Sequence, residues 1–296
     1  MSISATPDTV FNDTLNEAFD ALKSGVNDSV AVRRLRKRAD ELSSIDAAGA
    51  WELRAYASAM SSLFDAADED FARAVRLQPA NSNLKVRWLA MLCVTGQSGK
   101  AKERFVEFRG ELDGNFAAMQ AVISLLGYVG LLYDAFLLRE RVAELGGDGG
   151  SAILDHEFGI ASVPDRKGAD VPDNCEGAES LPSSIYKFSV EDAVDDLSAQ
   201  GLNVDSWSEP VGCAIQFLRD RQLKVLAVRS SFIPHEYGPA SMHFQILVDD
   251  VIDVTSVAES DFYDLLVERD FPIILSGGAS IAFIPTIDEA LDADLT

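Results

Sequence analysis

A recurrence of small and aromatic residues every 34 positions constrains the first half of this chain more than any other feature. Ala67, Ala101 and Ala135 stand 34 residues apart, as do Phe71 and Phe105. Such a period is typical of stacked helix pairs, in which small residues let paired helices approach and the aromatic fills the space beside them. The recurrence therefore predicts an all-α array of antiparallel helix pairs.

The clearest unit shows which repeat family this array resembles. Its small, aromatic, small and helix-ending positions, with the asparagine of the following turn, are Ala67, Phe71, Ala74, Pro79 and Asn81. This unit resembles a tetratricopeptide repeat. Gly96 and Gly130 mark the same turn one unit apart, while Arg139 replaces the expected aromatic and Asp113 the expected proline. The resemblance implies two to three tetratricopeptide-like repeats with helical caps over 1–146, and binding of a protein or peptide partner.

A change in composition separates this region from the rest of the chain. A glycine-rich run at 146–150 ends the last helical pattern, and the stretch after it is rich in Pro, Gly and Asp without periodicity. We therefore expect a linker over 147–184, in which Cys175 and His156 have no catalytic role. A second domain is expected over 185–296.

Local patterns indicate the elements of this second domain. Helices are expected at 190–199 and 261–268, strands at 223–232 and 242–255, and a last apolar run at 273–284. Helices grouped beside an antiparallel sheet favour an α+β fold.

Cys213 lies near the start of a further expected helix. Ser208 is the expected N-cap, and apolar residues follow at helical spacing. A cysteine in the first turn would lie near free backbone N–H groups and the positive end of the helix dipole, which favour the thiolate. Cys213 is therefore a candidate nucleophile.

His243 and Asp253 follow on the second expected strand. If a hairpin is centred at Val248, the two side chains face each other and share one side of the sheet. A two-residue turn at Asp249-Asp250 would instead send them to opposite sides. The first register provides a base and a carboxylate that orients it.

The order of these residues resembles the transglutaminase-like (papain-like) cysteine enzymes. The matching segments are Gly212-Cys213-Ala214, Phe217-Leu218-Arg219, Leu223-Lys224-Val225, His243-Phe244, Val248-Asp249 and Ile252-Asp253-Val254-Thr255. The resemblance covers residues 185–285 and implies a transglutaminase-like α+β domain. It also implies a thiol hydrolase or acyltransferase, acting as a protease, amidase or transamidase. In such an enzyme Cys213 is the nucleophile, His243 the general base and Asp253 the residue that orients the imidazole.

Two parts of this family pattern are less complete. Gln245 stands two residues after His243, where the family usually has an aromatic. An oxyanion donor is not fixed by the pattern, and the candidates are Trp207, Gln200, Asn203 and the backbone N–H of Cys213.

Each member of the expected triad also has a structural interpretation. A cysteine among apolar residues is often a small buried hydrophobe, a strand histidine often has a structural partner, and Asp253 can cap a turn. The alternative function is therefore a non-catalytic adaptor, immunity or regulatory protein with an inactive transglutaminase-like domain. His235 is an alternative to His243 as the general base. The carboxylates of Asp249, Asp250 and Asp253 could suggest a cation site, but they lack the spacing of a calcium loop.

The charge balance restricts the classes of partner. The net charge of −23 opposes binding to phosphate backbones, so no nucleic-acid partner is expected. The basic run at 33–38 is expected to be a solvated helix face, with an acidic partner or an intramolecular acidic surface as the alternative.

Cysteine usage and the absence of targeting patterns bear on the compartment. Three cysteines without disulfide spacing and 3 histidines without a zinc pattern indicate no metal or other cofactor and a reducing environment. The chain shows neither a secretory signal pattern nor an apolar stretch of about 18 residues, so a cytoplasmic protein without membrane contact is expected.

Overall fold

A computed structural model describes residues 7–25, 28–147, 203–235 and 238–287, together with residues 195, 198 and 199. Most of the expected linker and of the helix at 190–199 lies outside the described residues. The helices of the first part are α1 (Pro7–Lys23), α2 (Ser29–Leu42), α3 (Ala47–Met60), α4 (Phe64–Leu77), α5 (Ser82–Val94), α6 (Ser98–Phe108), α7 (Phe116–Tyr128) and α8 (Leu132–Glu144).

Helices α3 to α8 form three helix pairs that repeat along the chain. Corresponding helices begin 34 or 35 residues apart, and the short connections within a pair make its two helices antiparallel. The side chains of Asp46, Asn81 and Asn115 cap the first helix of each pair by accepting the third backbone N–H. The capping contact therefore recurs with the same period as the core.

The predicted repeat positions are buried. The exposed fraction of the residue is at most 3% at Ala67, Phe71, Ala101, Phe105 and Ala135. The ring of Phe71 lies between Tyr56 and Trp88, with centroid distances of 5.4 and 6.0 Å. The prediction of helix pairs with these residues packed between them is confirmed.

The turn within each pair also repeats. Ser62, Gly96 and Gly130 stand 34 residues apart and have φ values of 58°, 71° and 77°. This left-handed conformation favours glycine, which explains the two glycines noted in the sequence. Ser62 adopts the same conformation without being glycine, so its turn is not visible in the residue pattern.

The second part of the chain contains a three-stranded sheet and further helices. In chain order these are α9 (Ser208–Asp220), which follows a short 3-10 turn at Val204–Trp207, then β1 (Val225–His235), β2 (Gly238–Val251), α10 (Ile252–Arg269), α11 (Pro272–Leu275) and β3 (Ala279–Ile287). The strand order is β1-β2-β3, with β1 and β2 antiparallel but β2 and β3 parallel. The expectation of an antiparallel sheet was therefore wrong for β3. Parallel neighbours need a crossover, which α10 and α11 supply.

Strand β2 passes directly into α10. The strand expected over 242–255 ends at Val251, and the helix expected at 261–268 begins at Ile252. The reason is the helical spacing of the buried residues of α10, which are Thr255, Ala258, Phe262 and Leu266. Burying that stripe against the sheet requires a helix, although Ile252 to Thr255 favour a strand locally.

Helix α9 lies across the turns of the helix pairs. A methyl group added at Gly212 would lie 2.7 Å from the carbonyl oxygen of Gly96, so the two backbones touch there. The side-chain amide of Gln216 donates to the same carbonyl at 2.9 Å. At the next turn, a methyl group added at Gly130 would lie 3.1 Å from the carbonyl oxygen of Trp207. One helix thus follows successive turns of the array.

Arg219 continues this contact toward the first helices. Its guanidinium donates to the carbonyl oxygens of Leu22 and Ala59, at 3.3 and 2.8 Å, and lies 5.5 Å from the ring centre of Phe64. The two carbonyls belong to the last turns of α1 and α3, where the negative end of the helix dipole favours a cation. The buried side chains of both parts form one hydrophobic core.

Candidate functional site

Cys213 lies in the second turn of α9. The helix begins at Ser208, whose hydroxyl donates to the carbonyl oxygen of Asp205 at 2.8 Å instead of capping a backbone N–H. The free N–H groups that open a helix belong to its first four residues, and Cys213 is the sixth. The expectations of a Ser208 cap and a first-turn cysteine were wrong, because a 3-10 turn precedes the helix.

The surroundings of Cys213 disfavour its thiolate. Burial raises the pKa of this thiol, the Arg269 guanidinium opposes that shift, and Glu209 adds to it. The side chain is half-buried and packs against the hydrophobic core. Cys93 is fully buried, and burial raises its pKa strongly. Burial thus disfavours the thiolate form of both described cysteines.

His243 lies in the middle of β2, between two serines. It pairs with Ser231 of β1 and with Ser280 of β3, and its Nδ1 is 2.8 Å from the Ser280 hydroxyl oxygen. The prediction that His243 faces Asp253 across a hairpin was wrong, because β1 and β2 form the hairpin instead. A serine side chain occupies the hydrogen-bonding position in which the carboxylate was expected.

The sheet separates His243 from the helix that carries Cys213. One turn after Cys213, the ring of Phe217 lies 5.2 Å from Phe262 and 6.3 Å from Phe283. Phe283 pairs with Ile246, so α9 and α10 cover the side of the sheet on which even-numbered residues of β2 are buried. Successive side chains of a strand alternate, so His243 lies on the other side.

Asp253 is distant from both partners. It is an exposed residue in the first turn of α10, while the charge near Cys213 comes from Arg269 at the last turn. Sixteen residues of one helix separate Asp253 from Arg269, which is about 24 Å at about 1.5 Å per residue. Eight residues of β2 separate His243 from Val251, which is roughly 26 Å at roughly 3.3 Å per residue. The expected strand position of Asp253 was wrong, and the three side chains do not converge.

The oxyanion candidates that are described have structural surroundings. Trp207 is 1% exposed and its carbonyl lies against the Gly130 turn. The Asn203 side chain accepts from the backbone N–H of Asp205 at 3.1 Å, and Gln200 lies outside the described residues. His235 ends β1, and its side chain also lies outside the described part.

The carboxylates weighed as a cation site have other contacts. Asp249 pairs with Lys224 at 3.3 Å, and Asp250 accepts from the backbone N–H of Val251 at 2.7 Å. Within the described ranges, no group of three or more His, Cys, Asp or Glu side chains is placed to hold a metal ion.

An apolar cleft lies where the two parts of the chain meet. It has a volume of about 390 Å³ and lies between α1, α5, α7 and β1. Its apolar walls include Phe19, Val86, Ala90, Leu125, Leu226 and Val228. Ser124 is exposed at its edge and Lys23 of α1 also lines it. The volume lies within the range of known ligand pockets.

The cleft was not predicted from the sequence, although one signal points to it. Val86, Ala90 and Val94 follow each other at four-residue intervals on α5, in addition to the apolar stripe that contains Leu84, Trp88 and Leu92, and all three line the cleft. A second apolar stripe on a repeat helix indicates a second covered or concave face. The element that faces this stripe is β1, which is distant in the sequence, so the local pattern of α5 does not predict it.

Comparison with family models, curated proteins and solved structures gives no match to this chain. Among the described helices, none has both the length and the apolar composition to cross a bilayer.

Proposed function

We propose that this chain is a non-catalytic binding protein, with tetratricopeptide-like repeats that hold a protein or peptide partner. The observation that carries the proposal is the placement of Cys213 and His243 on opposite sides of the sheet. A thiol nucleophile needs a base within hydrogen-bond reach and an orienting group behind that base. The distance of Asp253 and the raised pKa of Cys213 support the same conclusion. These observations support a binding role over cysteine-dependent acyl transfer.

The role of α9 supports a scaffold. The helix expected to carry a nucleophile contacts the repeat turns through Gly212, Gln216 and Arg219. Its residues are used to fix the helix pairs relative to one another. A rigid array presents a constant surface to a partner, because less conformational entropy is lost on binding.

We place the partner at the apolar cleft between α1, α5, α7 and β1. A bound segment would insert apolar side chains between Leu125 of α7 and Val228 of β1, with Lys23 near the opening. Filling such a pocket is the usual source of affinity at protein interfaces. The free thiols of Cys93 and Cys213 support our proposal of a cytoplasmic location, since disulfides are rare there.

We expect Ser124→Trp to block the cleft and to weaken peptide binding about tenfold or more. Ser124 is exposed at the cleft edge, so a large ring there fills the opening without disturbing the core. Peptides selected from a random library on the full-length protein provide the probe, and calorimetry measures their affinity. The control is Ala117→Trp, at an exposed position of α7 that does not line the cleft.

The same peptides distinguish binding from catalysis. Cys213→Ala should leave their affinity unchanged, and mass spectrometry should find them uncleaved after long incubation with the wild-type protein. Equal affinity of the Ser124→Trp and Ala117→Trp variants would refute the cleft as the site. Peptide cleavage that Cys213→Ala abolishes would refute the non-catalytic proposal.

A further inference from the structure

Helix α2 exposes a dense group of cations on an otherwise acidic molecule. The chain has a net charge of −23, yet five exposed basic residues lie within six positions, and these are Arg33, Arg34, Arg36, Lys37 and Arg38. The opposite side of the helix buries Val32, Leu35 and Ala39. Packing of α2 therefore leaves its basic side, here called the α2 basic face, in solvent.

Intramolecular carboxylates neutralise this face only weakly. The Arg33 guanidinium donates to the carbonyl oxygen of Ser29, and Arg36 has no carboxylate within 4.0 Å among the described residues. Arg34 lies 3.8 Å from Glu17, and both side chains are at least 65% exposed. Lys37 and Arg38 pair with Glu41 of the same helix at 4.0 and 3.1 Å, and these three side chains are at least 48% exposed. Exposed pairs of this kind contribute at most about 1 kcal/mol and are screened by salt.

Cations on the helix pairs are held differently. Arg87 donates to Glu52 of the preceding pair at 2.9 Å, and Arg104 donates to Asp68 at 2.7 Å. Each of these guanidinium groups is at most 31% exposed and joins two helices. Among the described residues, the only carboxylate of another helix that pairs with an α2 cation is Glu17 of α1, through its exposed contact with Arg34. The packing of the repeats therefore does not account for the basic face.

An apolar residue lies beside the basic face. Val30 is 54% exposed and stands three, four and seven residues before Arg33, Arg34 and Lys37. Residues at these intervals lie on one face of a helix, and those three and four apart are neighbours. Cations beside an exposed apolar side chain suit an amphipathic ligand of opposite charge.

We propose that the α2 basic face binds an acidic segment of a protein partner. The inference rests on the proposed function and adds the chemistry of the partner. A short acidic segment interacts with the local cations, because charges beyond about 8 Å are screened at physiological salt. A long phosphate polymer would also extend over the surrounding acidic surface, which disfavours nucleic acid.

The test uses a fluorescein-labelled deca-glutamate peptide and the full-length protein. Anisotropy at about 0.15 M salt should show binding that the charge-reversal variant R33E/R36E/K37E weakens about tenfold or more. The matched control is R76E/R109E/R229E, which makes the same change in net charge at exposed positions on other elements. The control should stay within about twofold of wild type, because a local face and not the total charge sets the affinity. Thermal unfolding verifies that both variants fold.

Three outcomes would overturn the inference. In the first, the α2 variant and the control bind the peptide with equal affinity. In the second, the protein binds a short DNA duplex more tightly than it binds the peptide. In the third, the wild-type protein self-associates and the α2 variant does not. Ser124→Trp should leave deca-glutamate binding unchanged. If only the α2 test fails, the proposal that a partner binds in the cleft still stands. If only the Ser124 test fails, the inference that the α2 basic face binds an acidic segment still stands.

Discussion

Replacing Gly96 by alanine should destabilise the folded chain by about 3 to 5 kcal/mol, a large effect for one methyl group. Gly96 has a φ of 71°, which costs a residue with a Cβ about 1 to 2 kcal/mol. The added methyl would also overlap the carbonyl oxygen of Gly212, and neither backbone can move without separating α9 from the turn. Urea unfolding followed by circular dichroism measures the change.

Gly114→Ala is the matched control for this substitution. Gly114 has a φ of 86°, and a methyl added there meets no atom of the described residues within 4 Å. The control variant should lose only the conformational part, about 1 to 2 kcal/mol. Equal losses for Gly96→Ala and Gly114→Ala would show that α9 does not contact the repeat turn in solution.

Arg219→Met should destabilise the chain by about 3 kcal/mol or more. The Arg219 side chain is buried, and burial lowers the pKa of its guanidinium. Methionine keeps the apolar contact with Phe64 but removes the charged donor from the carbonyl oxygens of Leu22 and Ala59. These oxygens still accept the backbone N–H groups of Gly25 and Ser62, at 3.3 and 3.0 Å. The loss follows from two buried hydrogen bonds with a charged donor, each of which contributes about 1.5 to 3 kcal/mol.

Arg221→Met tests the same substitution two residues later. Arg221 is exposed, pairs with Asp261 at 3.0 Å and lies over the ring of Phe217. Its loss should cost about 1 kcal/mol or less. If Arg219→Met is no more destabilising than Arg221→Met, the buried guanidinium does not link α9 to the ends of α1 and α3.

The repeat array could be predicted because its signal is local and recurs. Ala67 and Phe71 must be small and large to fit the same helix pair, and Ala101 and Phe105 repeat the requirement one period later. The turn at Ser62 has no signal in the residue pattern, since a serine can be held at positive φ by its surroundings. Repetition reveals a position only where every copy uses the same residue type.

The second part was harder to predict because its registers depend on distant contacts. Ile252, Asp253 and Thr255 have the composition of a strand, yet the buried stripe from Thr255 to Leu266 makes this stretch a helix. The same error placed Asp253 opposite His243. Residue order along a chain cannot tell which side of a sheet each side chain faces, and one register shift reverses it.

Gly212 is the sequence signal for the packing of α9 against the repeat turns, but the sequence pattern assigned it another role. Gly212 beside Cys213 matched a catalytic family pattern, whereas in the structure it permits the close approach to Gly96. Glycine at a helix crossing and glycine beside a nucleophile look alike in a single sequence. The distinction requires knowing that the turn at Gly96 lies against this helix.

The pH dependence of Cys213 alkylation by iodoacetamide tests the non-catalytic proposal most directly. Peptide mass spectrometry follows each cysteine in the folded wild-type protein, and Cys93 serves as the buried internal reference. Because burial raises the pKa of Cys213, its rate should be low at mildly acidic pH and reach half its maximum only at a pH above the pKa of a free thiol. It should still exceed the rate of Cys93, which is less accessible. A near-maximal rate at mildly acidic pH would reveal a thiolate stabilised by a neighbouring imidazolium and would contradict the proposal.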